Sequence, residues 1–559
     1  MPSLLASLIP SWVSILISIP VLFISLFIFQ FYIRPSLTSY SNLPGPKIES
    51  YIWGNMKGLM NNEPGVGHEA LVLKYGKTLR YNGFMGMQRF YTADPRAVSY
   101  VLNNGYDYPK PARVRVLLEE ILGTGLLSAE GGVHQRQRKI VVTSFSRNYI
   151  RDMTPVFIEH AYELKDKFLS MIEDDKPTRI DVLEWIGRAT LDIIGRAGFD
   201  YHFNALKTEY NELADAFQKM FVHGSDVTLL LVLQNFFPFL KFIPTAQSRS
   251  AGIALATMER IGGDLVAKKK EAVLESLRTE QAAGDENEKT EVQPGKKDFS
   301  GKDILSSLIR SNMARDLPPS QRLHDKEVIG QISTFMLAGQ ETSATSLAWC
   351  LYAMCENTEI QDKLRAELVQ VENDEPSMDE LNALPYLDAV CRETLRLYAP
   401  IPSTLRVASK DDVLPLSEPI KNTRNGKMMT EVPIAKGTSI FIPILNLNTL
   451  DDIWGGDGQI FRPERWMGEN FSDAAKEVPG VWTHMSTFIS GPRSCVGYRF
   501  ALVEIKAVLF VLLRSFVFAH CDPRPNFIKK LSFLIVRPRI KGEESFGAQL
   551  PMMVTPYRP

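Results

Sequence analysis

One cysteine near the C-terminal end of the chain carries the clearest chemical signal. It lies in the segment Phe488-Ile489-Ser490-Gly491-Pro492-Arg493-Ser494-Cys495-Val496-Gly497, directly before an apolar, helix-like run from Tyr498 to Phe516. The start of a helix presents unpaired N–H groups and a partial positive charge, and both lower the pKa of a thiol. A lone thiolate without a CxxC partner suits haem iron, which takes one protein ligand and leaves its opposite face open. Cys495 is therefore a candidate ligand of a haem iron, although a single cysteine does not decide between this role and a structural one.

Four neighbours of Cys495 fit the same chemistry. Gly491 and Gly497 allow backbone angles and close approaches that a Cβ atom would block. Arg493 offers a fixed charge to a haem propionate, and Phe488 offers a flat apolar wall. The alternative is a buried structural cysteine in a core loop, which is the usual state of a lone cysteine. The five positions together resemble the haem-binding signature of the haem-thiolate monooxygenases, the cytochrome P-450 family.

The resemblance covers nearly the whole chain and has the style of the microsomal fungal members. It implies a mainly α fold with a small β region, and haem b bound through Cys495. It also implies an enzyme that oxidises a lipophilic small molecule with O2. The electrons for that reaction would come from NADPH through a cytochrome reductase in the membrane.

A long helix is predicted from Asp325 to Asn357, with Ala338-Gly339-Gln340-Glu341-Thr342 at its centre. An interior glycine costs roughly 1 kcal/mol relative to alanine, which is tolerable where a helix must open locally at a functional site. A freed Thr342 hydroxyl could donate to bound oxygen, and Glu341 could relay protons. The alternatives are a threonine bonded to the preceding turn and a glutamate on a solvated face. The segment is similar to the family's acid–threonine pair, which implies catalytic roles for Glu341 and Thr342.

An acid and a base lie three residues apart in Glu393-Thr394-Leu395-Arg396, on one helix face. On an exposed helix such a pair contributes under about 1 kcal/mol. The family has a similar Glu-x-x-Arg in a buried helix, tied to a later arginine that corresponds here to Arg465. The resemblance therefore implies a structural network of Glu393, Arg396 and Arg465 beneath the haem.

Further propionate contacts are implied by His134-Gln135-Arg136-Gln137-Arg138. This segment resembles the family's Trp-x-x-x-Arg contact, with His134 in the tryptophan position. Arg138 and His134 are accordingly expected to bind a propionate, as is Arg406, which follows Pro400-Ile401-Pro402. For the arginines the alternative is a solvated side chain at the surface.

Composition bounds the rest of the chain. Its 559 residues are 45% hydrophobic with a net charge of −1, which allows a large core and gives no sign of a nucleic-acid partner. The five cysteines lack metal-type spacing, and their odd number argues against a disulfide framework. Thr78 to Tyr81 and Arg89 to Thr92 are predicted strands of a small sheet, and helical patterns dominate from about Asp107 onward.

Residues 12–33 form a mostly apolar run with no basic residue before it. At about 1.5 Å per residue this run matches a hydrocarbon core of about 30 Å. Arg34 and Lys47 follow it, so the positive-inside rule predicts an uncleaved anchor with the following domain in the cytosol. Residues 1–34 are therefore interpreted as a single-pass anchor in the endoplasmic reticulum membrane. Residues 35–47 are a proline-rich hinge, and residues 48–559 are the haem-thiolate monooxygenase domain.

No nucleotide-binding fingerprint is present, because Gly123-Thr124-Gly125-Leu126-Leu127-Ser128 lacks a third glycine and a preceding strand. Electrons must then come from another protein, which is expected to dock near Arg136, Lys139 and the Cys495 loop. Residues 229–244 are apolar but too short and interrupted to span a bilayer. They form either core packing or an apolar loop that touches the membrane and admits lipophilic substrates.

The sequence leaves the substrate open. A terpenoid or other secondary metabolite is expected, with fatty acids and xenobiotics as alternatives. An oxygen-independent isomerase or dehydratase acting on a peroxide is a rival, although such enzymes tend to lose the acid–threonine pair. A non-enzymatic haem carrier or sensor is another rival, which needs neither the proton relay nor the reductase. A test of turnover with NADPH and reductase would distinguish these three hypotheses.

Overall fold

The computed structural model describes residues 11–60, 62–224, 228–282, 303–314, 316–318, 321–468, 471–482 and 484–558. Its α-helices are α1 (Ser11–Ile28), α2 (Arg34–Leu37), α3 (Met56–Met60), α4 (Val66–Tyr75), α5 (Pro95–Asn103), α6 (Ala112–Leu122), α7 (Gly131–Thr143), α8 (Arg147–Met171), α9 (Val182–Phe199), α10 (Glu212–His223), α11 (Leu229–Phe236), α12 (Ala246–Ala282), α13 (Ile304–Met313), α14 (Asp325–Glu356), α15 (Thr358–Leu368), α16 (Met378–Asn382), α17 (Pro385–Leu397), α18 (Ile444–Thr449), α19 (Asp451–Trp454), α20 (Asp473–Lys476) and α21 (Tyr498–Ser515). Its strands are β1 (Thr78–Asn82), β2 (Gln88–Thr92), β3 (Thr178–Asp181), β4 (Thr404–Val407), β5 (Asp412–Lys421), β6 (Met428–Ile434), β7 (Ser439–Ile442), β8 (Phe516–Ala519), β9 (Phe527–Ser532), β10 (Ile535–Ile540) and β11 (Pro551–Pro556). The predicted mainly α fold with a small β region is confirmed.

The strands form small, separate sheets. One sheet has the order β1-β2-β7-β4, and another has the order β3-β11-β8. β5 with β6 and β9 with β10 form antiparallel hairpins. β1 and β2 pair antiparallel with Thr78 opposite Thr92, so both predicted strands are present. The first sheet carries Arg406 on β4, and the β9–β10 hairpin packs against α14.

Long helices build the core around the middle of the chain. α9 and α12 pack against α14, while α8 packs against α21. Phe500 of α21 meets Phe157 of α8 edge-on, with ring centroids 4.7 Å apart. Burying each aromatic side chain of this kind stabilises the fold by roughly 1.5–3 kcal/mol. The apolar run predicted after Cys495 is thus the buried helix α21.

α14 is one continuous helix, in agreement with its predicted length. It begins with a capping box in which Glu327 accepts from the His324 amide at 2.9 Å. Its glycines do not open it locally, which corrects the sequence-based expectation. A Cβ at Gly330 would lie 2.7 Å from the Thr124 carbonyl carbon, and one at Gly339 would lie 3.0 Å from Ile194. The glycines therefore let neighbouring segments approach the helix closely.

The N-terminal segment is packed on the small β region. α1 continues into a π-helical turn, Phe29–Ile33, where Gln30 Nε2 donates to the Met85 carbonyl at 2.8 Å. Further on, Leu43 is fully buried, so part of the predicted hinge belongs to the packed domain. Across the described ranges no helix is long and apolar enough to cross a membrane, and the predicted span at residues 12–33 is not supported. The 18 residues of α1 extend about 27 Å, somewhat less than a hydrocarbon core of about 30 Å.

The apolar residues 229–244 form α11 and a 3-10 turn, Pro238–Phe242. Phe239 and Phe242 are 70% and 76% exposed. For these two side chains the core-packing alternative is wrong. This turn is therefore an exposed apolar surface.

Candidate functional site

The Cys495 loop, residues 488–497, contains a short 3-10 turn, Gly491–Arg493, and leads directly into α21. The Cys495 amide donates to the Phe488 carbonyl at 3.0 Å and thereby closes the loop. The Phe488 ring lies with its centroid 6.2 Å from that of Trp482 and 6.0 Å from that of Tyr498. The predicted apolar wall is thus one ring of a small aromatic cluster that supports the loop.

The two predicted glycines of the loop have different surroundings. Gly491 has φ +71°, which side chains rarely adopt, and a Cβ there would lie 2.2 Å from the Leu102 carbonyl oxygen. Gly497 has φ −91°. A Cβ there would make an ordinary contact with Phe145 at 3.5 Å. Among the described contacts, the backbone argument therefore applies to Gly491 and not to Gly497.

The Cys495 thiol differs from the other four cysteines, which are buried. Its side chain is exposed. Burial by the surrounding protein nevertheless raises its pKa, while the Gly497 N–H and the charge of Arg138 lower it. The thiol thus has accessible surface although protein atoms surround it densely. The expectation of a lowered thiol pKa is not met, because burial is the larger effect.

Two predicted arginines flank the loop. Arg138 of α7 donates to the Ser494 carbonyl at 2.7 Å and to Ser494 Oγ at 2.9 Å. Arg493 donates to the Ala129 carbonyl at 2.9 Å and forms an ion pair with Glu130. Burial lowers the pKa of both guanidinium groups. These contacts hold the Cys495 loop against the start of α7.

Arg406 is buried in β4, with 2% of its surface exposed, so the alternative of a solvated arginine is wrong. Its Nη1 donates to Thr404 Oγ1 at 2.5 Å and to the Leu405 carbonyl at 2.8 Å. Its pKa is lowered to about 10, chiefly by burial, and within this net value Glu130 raises the pKa and the charge of Arg493 lowers it. Arg406 thus carries a desolvated charge close to the other cations.

His134 is also buried, with 2% exposed. Its Nδ1 lies 3.3 Å from the Tyr106 hydroxyl. Burial and the charges of Arg493, Lys110 and Arg138 lower its pKa to about 3. His134 is therefore neutral at pH 7 and could act as a hydrogen-bond donor to an anion.

This cluster holds more positive than negative charge. Glu130 accepts from Lys110 Nζ at 3.1 Å and pairs with Arg493. Over the described ranges, Glu130 is the carboxylate that acts on Lys110, Arg406 and Arg493. Surplus positive charge in a buried place is unfavourable unless an anion binds there. The cluster would therefore suit an anionic group such as the propionates of a haem.

Sequence reasoning missed Lys110, Glu130 and Tyr106. No motif marks them, because they lie outside the quoted segments and reach Arg493 and His134 through the fold. Their contribution becomes visible only when the described side chains are in place.

On α14, the Thr342 hydroxyl donates to the Ala338 carbonyl at 2.7 Å. This matches the alternative of a threonine bonded to the preceding turn. Glu341 is 3% exposed, so it does not lie on a solvated face. Burial raises its pKa, while Arg537 and a hydrogen bond from Gln340 lower it. The two side chains predicted to be catalytic are thus a hydroxyl with free lone pairs and a desolvated acid.

A further acid links α14 to the helix that follows Cys495. The Ser343 hydroxyl donates to Glu504 Oε2 at 2.5 Å. Glu504 is fully buried, its Oε1 has no hydrogen-bond partner within the described structure, and burial raises its pKa to about 8. The sequence signal was an acid interrupting an apolar run, and its significance was not recognised.

The predicted structural network is present around Glu393. Glu393 and Arg396 are both fully buried and share two hydrogen bonds, of 2.9 and 2.7 Å. Arg465 Nε lies 3.4 Å from Glu393 Oε1, and Trp466 Nε1 donates to Glu393 Oε2 at 2.9 Å. Arg465 also binds Asp457 Oδ1 at 2.7 Å. Asp457 and Trp466 are members of the network that sequence reasoning missed.

Arg396 also links this network to backbone carbonyl groups of residues 448–460. It donates to the carbonyls of Asn448 at 2.8 Å, Gly458 at 2.5 Å and Ile460 at 3.1 Å. Its guanidinium carbon lies 4.8 Å from the Trp454 ring centroid. Every donor direction of this buried cation therefore meets an acceptor or an aromatic ring, as a buried charge requires.

The two basic residues expected to contact a redox partner differ in ion pairing and in exposure. Arg136 is ion-paired with Glu327 and donates to the Arg322 carbonyl at 2.8 Å. Lys139 is exposed on α7. Lys139 is thus the more accessible of the two charges.

Comparison with known proteins adds independent findings. The family model described as cytochrome P450 matches residues 43–543. The chain is 43% identical to cytochrome P450 monooxygenase 205 of Postia placenta, over 92% of this chain and 93% of that protein. It is 40% identical to cytochrome P450 monooxygenase 128 of the same organism, over 93% of both chains. It is 34% identical to cytochrome P450 monooxygenase claW of Ampulloclitocybe clavipes, over 92% of this chain and 93% of that protein.

Proposed function

Because this chain belongs to the cytochrome P450 family, we propose that it is a haem-dependent monooxygenase whose iron ligand is Cys495. The observation that supports this proposal most directly is the exposed Cys495 thiol at the start of α21, beside the cation cluster of Arg138, Arg406 and Arg493. Haem b is the family's cofactor, and its bound iron supplies the activation of O2. The protein's part is to ligate, orient and deliver protons.

The proposed binding roles follow from charge and position. Arg138, Arg406 and Arg493 would neutralise the propionates, with neutral His134 as a further donor. Phe488 would cover one side of the Cys495 loop, Gly491 would hold its turn, and the Gly497 N–H would donate to the sulfur. The buried network of Glu393, Arg396 and Arg465 would hold the segment beneath the haem.

The proposed catalytic roles belong to α14. Thr342 would hold a proton at its hydroxyl through the free lone pairs of Oγ1, and Glu341 would resupply that proton from its buried carboxyl. Burial keeps the pKa of Glu341 above its usual value, so the carboxyl retains its proton to higher pH than an exposed glutamate.

The experiment is a spectrum of the reduced, carbon-monoxide-bound protein, recorded for wild type and Cys495→Ser. Wild type should show the red-shifted Soret band of thiolate ligation, and Cys495→Ser should lose it. Cys521→Ser is a matched control, because Cys521 is a buried cysteine elsewhere in the fold. A band that persists in Cys495→Ser would contradict the proposed ligand.

The same preparation separates the rival functions. Reconstitution with NADPH-cytochrome reductase should give product that carries oxygen from O2. Product formed from a peroxide without NADPH would indicate an isomerase or dehydratase. Ligand binding without turnover would indicate a carrier or sensor.

The proposed class of substrate is argued from the exposed apolar surface of the protein. Large apolar side chains of α1 and the following turn are exposed, from Ile19 at 49% to Phe23 at 68% and Ile33 at 46%. Phe239 and Phe242 form a second exposed apolar surface. We propose that these surfaces hold the protein at the cytosolic face of the endoplasmic reticulum membrane. A lipophilic substrate dissolved there, such as a terpenoid or other secondary metabolite, is favoured over a fatty acid or xenobiotic.

The electron donor would be an NADPH-cytochrome reductase of the same membrane. Exposed Lys139 offers positive charge to an acidic partner, and it lies on the helix whose Arg138 contacts the Cys495 loop. Lys139→Glu should slow reduction by reductase without altering the carbon-monoxide spectrum. Residues 48–559 would form the haem domain, and residues 35–47 would be a hinge of which Leu43 packs on that domain.

A further inference from the structure

The acid of α14 is met by a cation from the C-terminal hairpin. Arg537 of β10 brings its Nε to 3.5 Å from Glu341 Oε2. Their side chains are 11% and 4% exposed, so water screens this pair only weakly. No motif or resemblance pointed to Arg537.

This contact is an ion pair without a tight hydrogen bond. Arg537 Nε has no hydrogen-bond partner among the described residues. The guanidinium carbon lies 4.7 Å from the ring centroid of Phe221 in α10, at the distance of a cation–π contact. Arg537 therefore acts on Glu341 through its charge, while the Gln340 side chain hydrogen-bonds to this carboxyl.

The backbone of β10 is fixed to the helix that carries Glu341. Trp349 Nε1 of α14 donates to the Val536 carbonyl at 3.2 Å, and the Val536 amide donates to the Pro400 carbonyl at 2.9 Å. The residue before Arg537 is thus tied on both sides. The position of Arg537 relative to Glu341 is set by this framework.

The hairpin is also tied to the end of α10. Arg539 donates to the Phe221 carbonyl at 3.1 Å, and the Phe533 amide donates to the Gly224 carbonyl at 3.1 Å. A Cβ at Gly224 would lie 2.2 Å from the Phe533 ring, so the two segments are in close contact. α10, the β9–β10 hairpin and Glu341 therefore form one connected unit.

We propose that Arg537 is a positioning residue that orients Glu341 by its charge and sets when this acid can pass a proton toward Thr342. The inference rests on the proposed function, in which Glu341 is the proton source. It assigns to the C-terminal hairpin a part in proton delivery, and it makes α10 able to influence that delivery through Phe221.

The direction of the effect follows from the groups around Glu341. Burial raises the pKa of this carboxyl, whereas Arg537 and the Gln340 side chain lower it. On the neighbouring α9, Gly187 and Thr190 contact Gln340 and are uncharged. On α21, Glu504 accepts a hydrogen bond from Ser343, which lies two residues after Glu341. Removing the Arg537 charge should therefore raise the pKa of Glu341.

The first test measures that carboxyl directly. Infrared difference spectra of the purified full-length holoprotein are recorded through a pH titration, and the band lost in Glu341→Gln is assigned to Glu341. Arg537→Met should raise the titration midpoint by about one pH unit or more, the usual effect of losing an opposite charge at this range. Arg537→Lys should stay close to wild type. Lys541→Met removes an exposed charge from the end of the same hairpin and should leave the midpoint unchanged.

The second test follows product and peroxide per NADPH across the same pH range. Arg537→Met should shift the coupling profile to higher pH by the same amount, while the carbon-monoxide spectrum stays normal. If Arg537→Met fails to fold, Arg537→Gln removes the charge and keeps polar contacts. An unchanged Glu341 midpoint in the uncharged variant overturns the inference. Loss of the thiolate band in wild type would instead contradict the proposed function, and the infrared result would still decide the pairing.

Discussion

Thr342 shows that a side chain bound to its own helix can still serve chemistry. Its hydroxyl donates to the Ala338 carbonyl at 2.7 Å, and this uses its one proton. The lone pairs of Oγ1 remain able to accept a hydrogen bond from water or from a protonated oxygen. Thr342 could therefore hold a proton-bearing partner in place without leaving the helix, and local opening of α14 is unnecessary.

Thr342→Ala tests this role through the fate of the electrons. The variant should bind haem and consume NADPH, because Thr342 lies outside the cation cluster and the Cys495 loop. Product per NADPH should fall several-fold and hydrogen peroxide should rise, since positioned proton transfer is typically worth about 10²–10⁴-fold in rate. NADPH, peroxide and product are measured together with reductase and an accepted substrate.

Thr334→Ala provides the matched control. Its hydroxyl donates to the Gly330 carbonyl at 2.7 Å in the same helix, two turns earlier. Its coupling should equal that of wild type, so loss of a backbone-bonded threonine by itself has no effect. Equal coupling in Thr342→Ala and wild type would show that protons reach the site by another route.

Glu504 predicts a pH dependence of stability. Its folded-state pKa of about 8 lies above the usual 4.5 because it is fully buried, and the hydrogen bond from Ser343 lowers the pKa by less than burial raises it. Between these values the folded state keeps a proton that the unfolded state loses. Stability should therefore fall as pH rises through this window, by up to about 1.4 kcal/mol per pH unit. Above about pH 8 this contribution levels off.

Glu504→Gln should remove that contribution, since an amide keeps a similar shape without titrating. Melting temperatures of wild type and variant are compared at pH 5, 6, 7 and 8. The variant should gain on wild type as pH rises. Glu431→Gln, at an exposed position of β6, should follow wild type throughout. Parallel curves for Glu504→Gln and wild type would mean that Glu504 is ionised in the folded protein.

Some site residues lie together in one recognisable motif, and others are scattered along the chain without a motif. Cys495 and Arg493 lie in one short segment with a dense pattern, so their proximity could be predicted. Lys110, Glu130 and Arg537 lie in separate segments, and their charges meet only after folding. The sequence also could not show that burial dominates the pKa of Cys495, because desolvation depends on the packed surroundings.

At the scale of elements, the Glu393 network joins α17 to the turn Pro463–Trp466. Removing one partner of a buried ion pair costs about 3–5 kcal/mol, because the remaining charge is left unpaired. Glu393→Ala should therefore lower the yield of folded haem protein sharply. Glu393→Gln keeps acceptors for Arg396 and Trp466 and should lose less. Yield, haem content and melting temperature are the measurements.

An exposed acid on α15, a helix that packs against α17, gives the comparison. Glu359→Ala on α15 should change stability by no more than about 0.5 kcal/mol, as is usual for surface positions. If Glu393→Ala were as stable as Glu359→Ala, the network would not hold the fold together.

Elements that are defined by a local sequence pattern could be predicted, whereas features that depend on contacts between distant segments could not. α14 and α21 were predictable in extent, because long periodic or apolar runs define them. The glycines of α14 were misinterpreted, since an interior glycine can serve either helix opening or close packing. The contact of Gly330 with Thr124 settles that choice, and it joins segments about 200 residues apart.

At the scale of the whole molecule, two apolar surfaces need a partner. The exposed side chains of α1 continue into a turn that is anchored on the domain, where Gln30 binds Met85. Phe239 and Phe242 project from the turn after α11. Burying such side chains in lipid contributes roughly 1.5–3 kcal/mol each, enough for reversible binding when several act together.

Removal of residues 1–34 should therefore weaken membrane attachment without abolishing it. In a fractionation of cells, the full chain should pellet with membranes and the shortened chain should appear partly in the supernatant. In the shortened chain, Phe239→Ser with Phe242→Ser should further lower binding to liposomes, about tenfold or more, because two apolar contacts are lost. Phe546→Ser removes an aromatic side chain that is 71% exposed elsewhere and should have no such effect. If Phe546→Ser lowered liposome binding as much as the pair, attachment would depend on general surface hydrophobicity. The turn Pro238–Phe242 would then lose its assigned role as the lipid-facing entry for substrate.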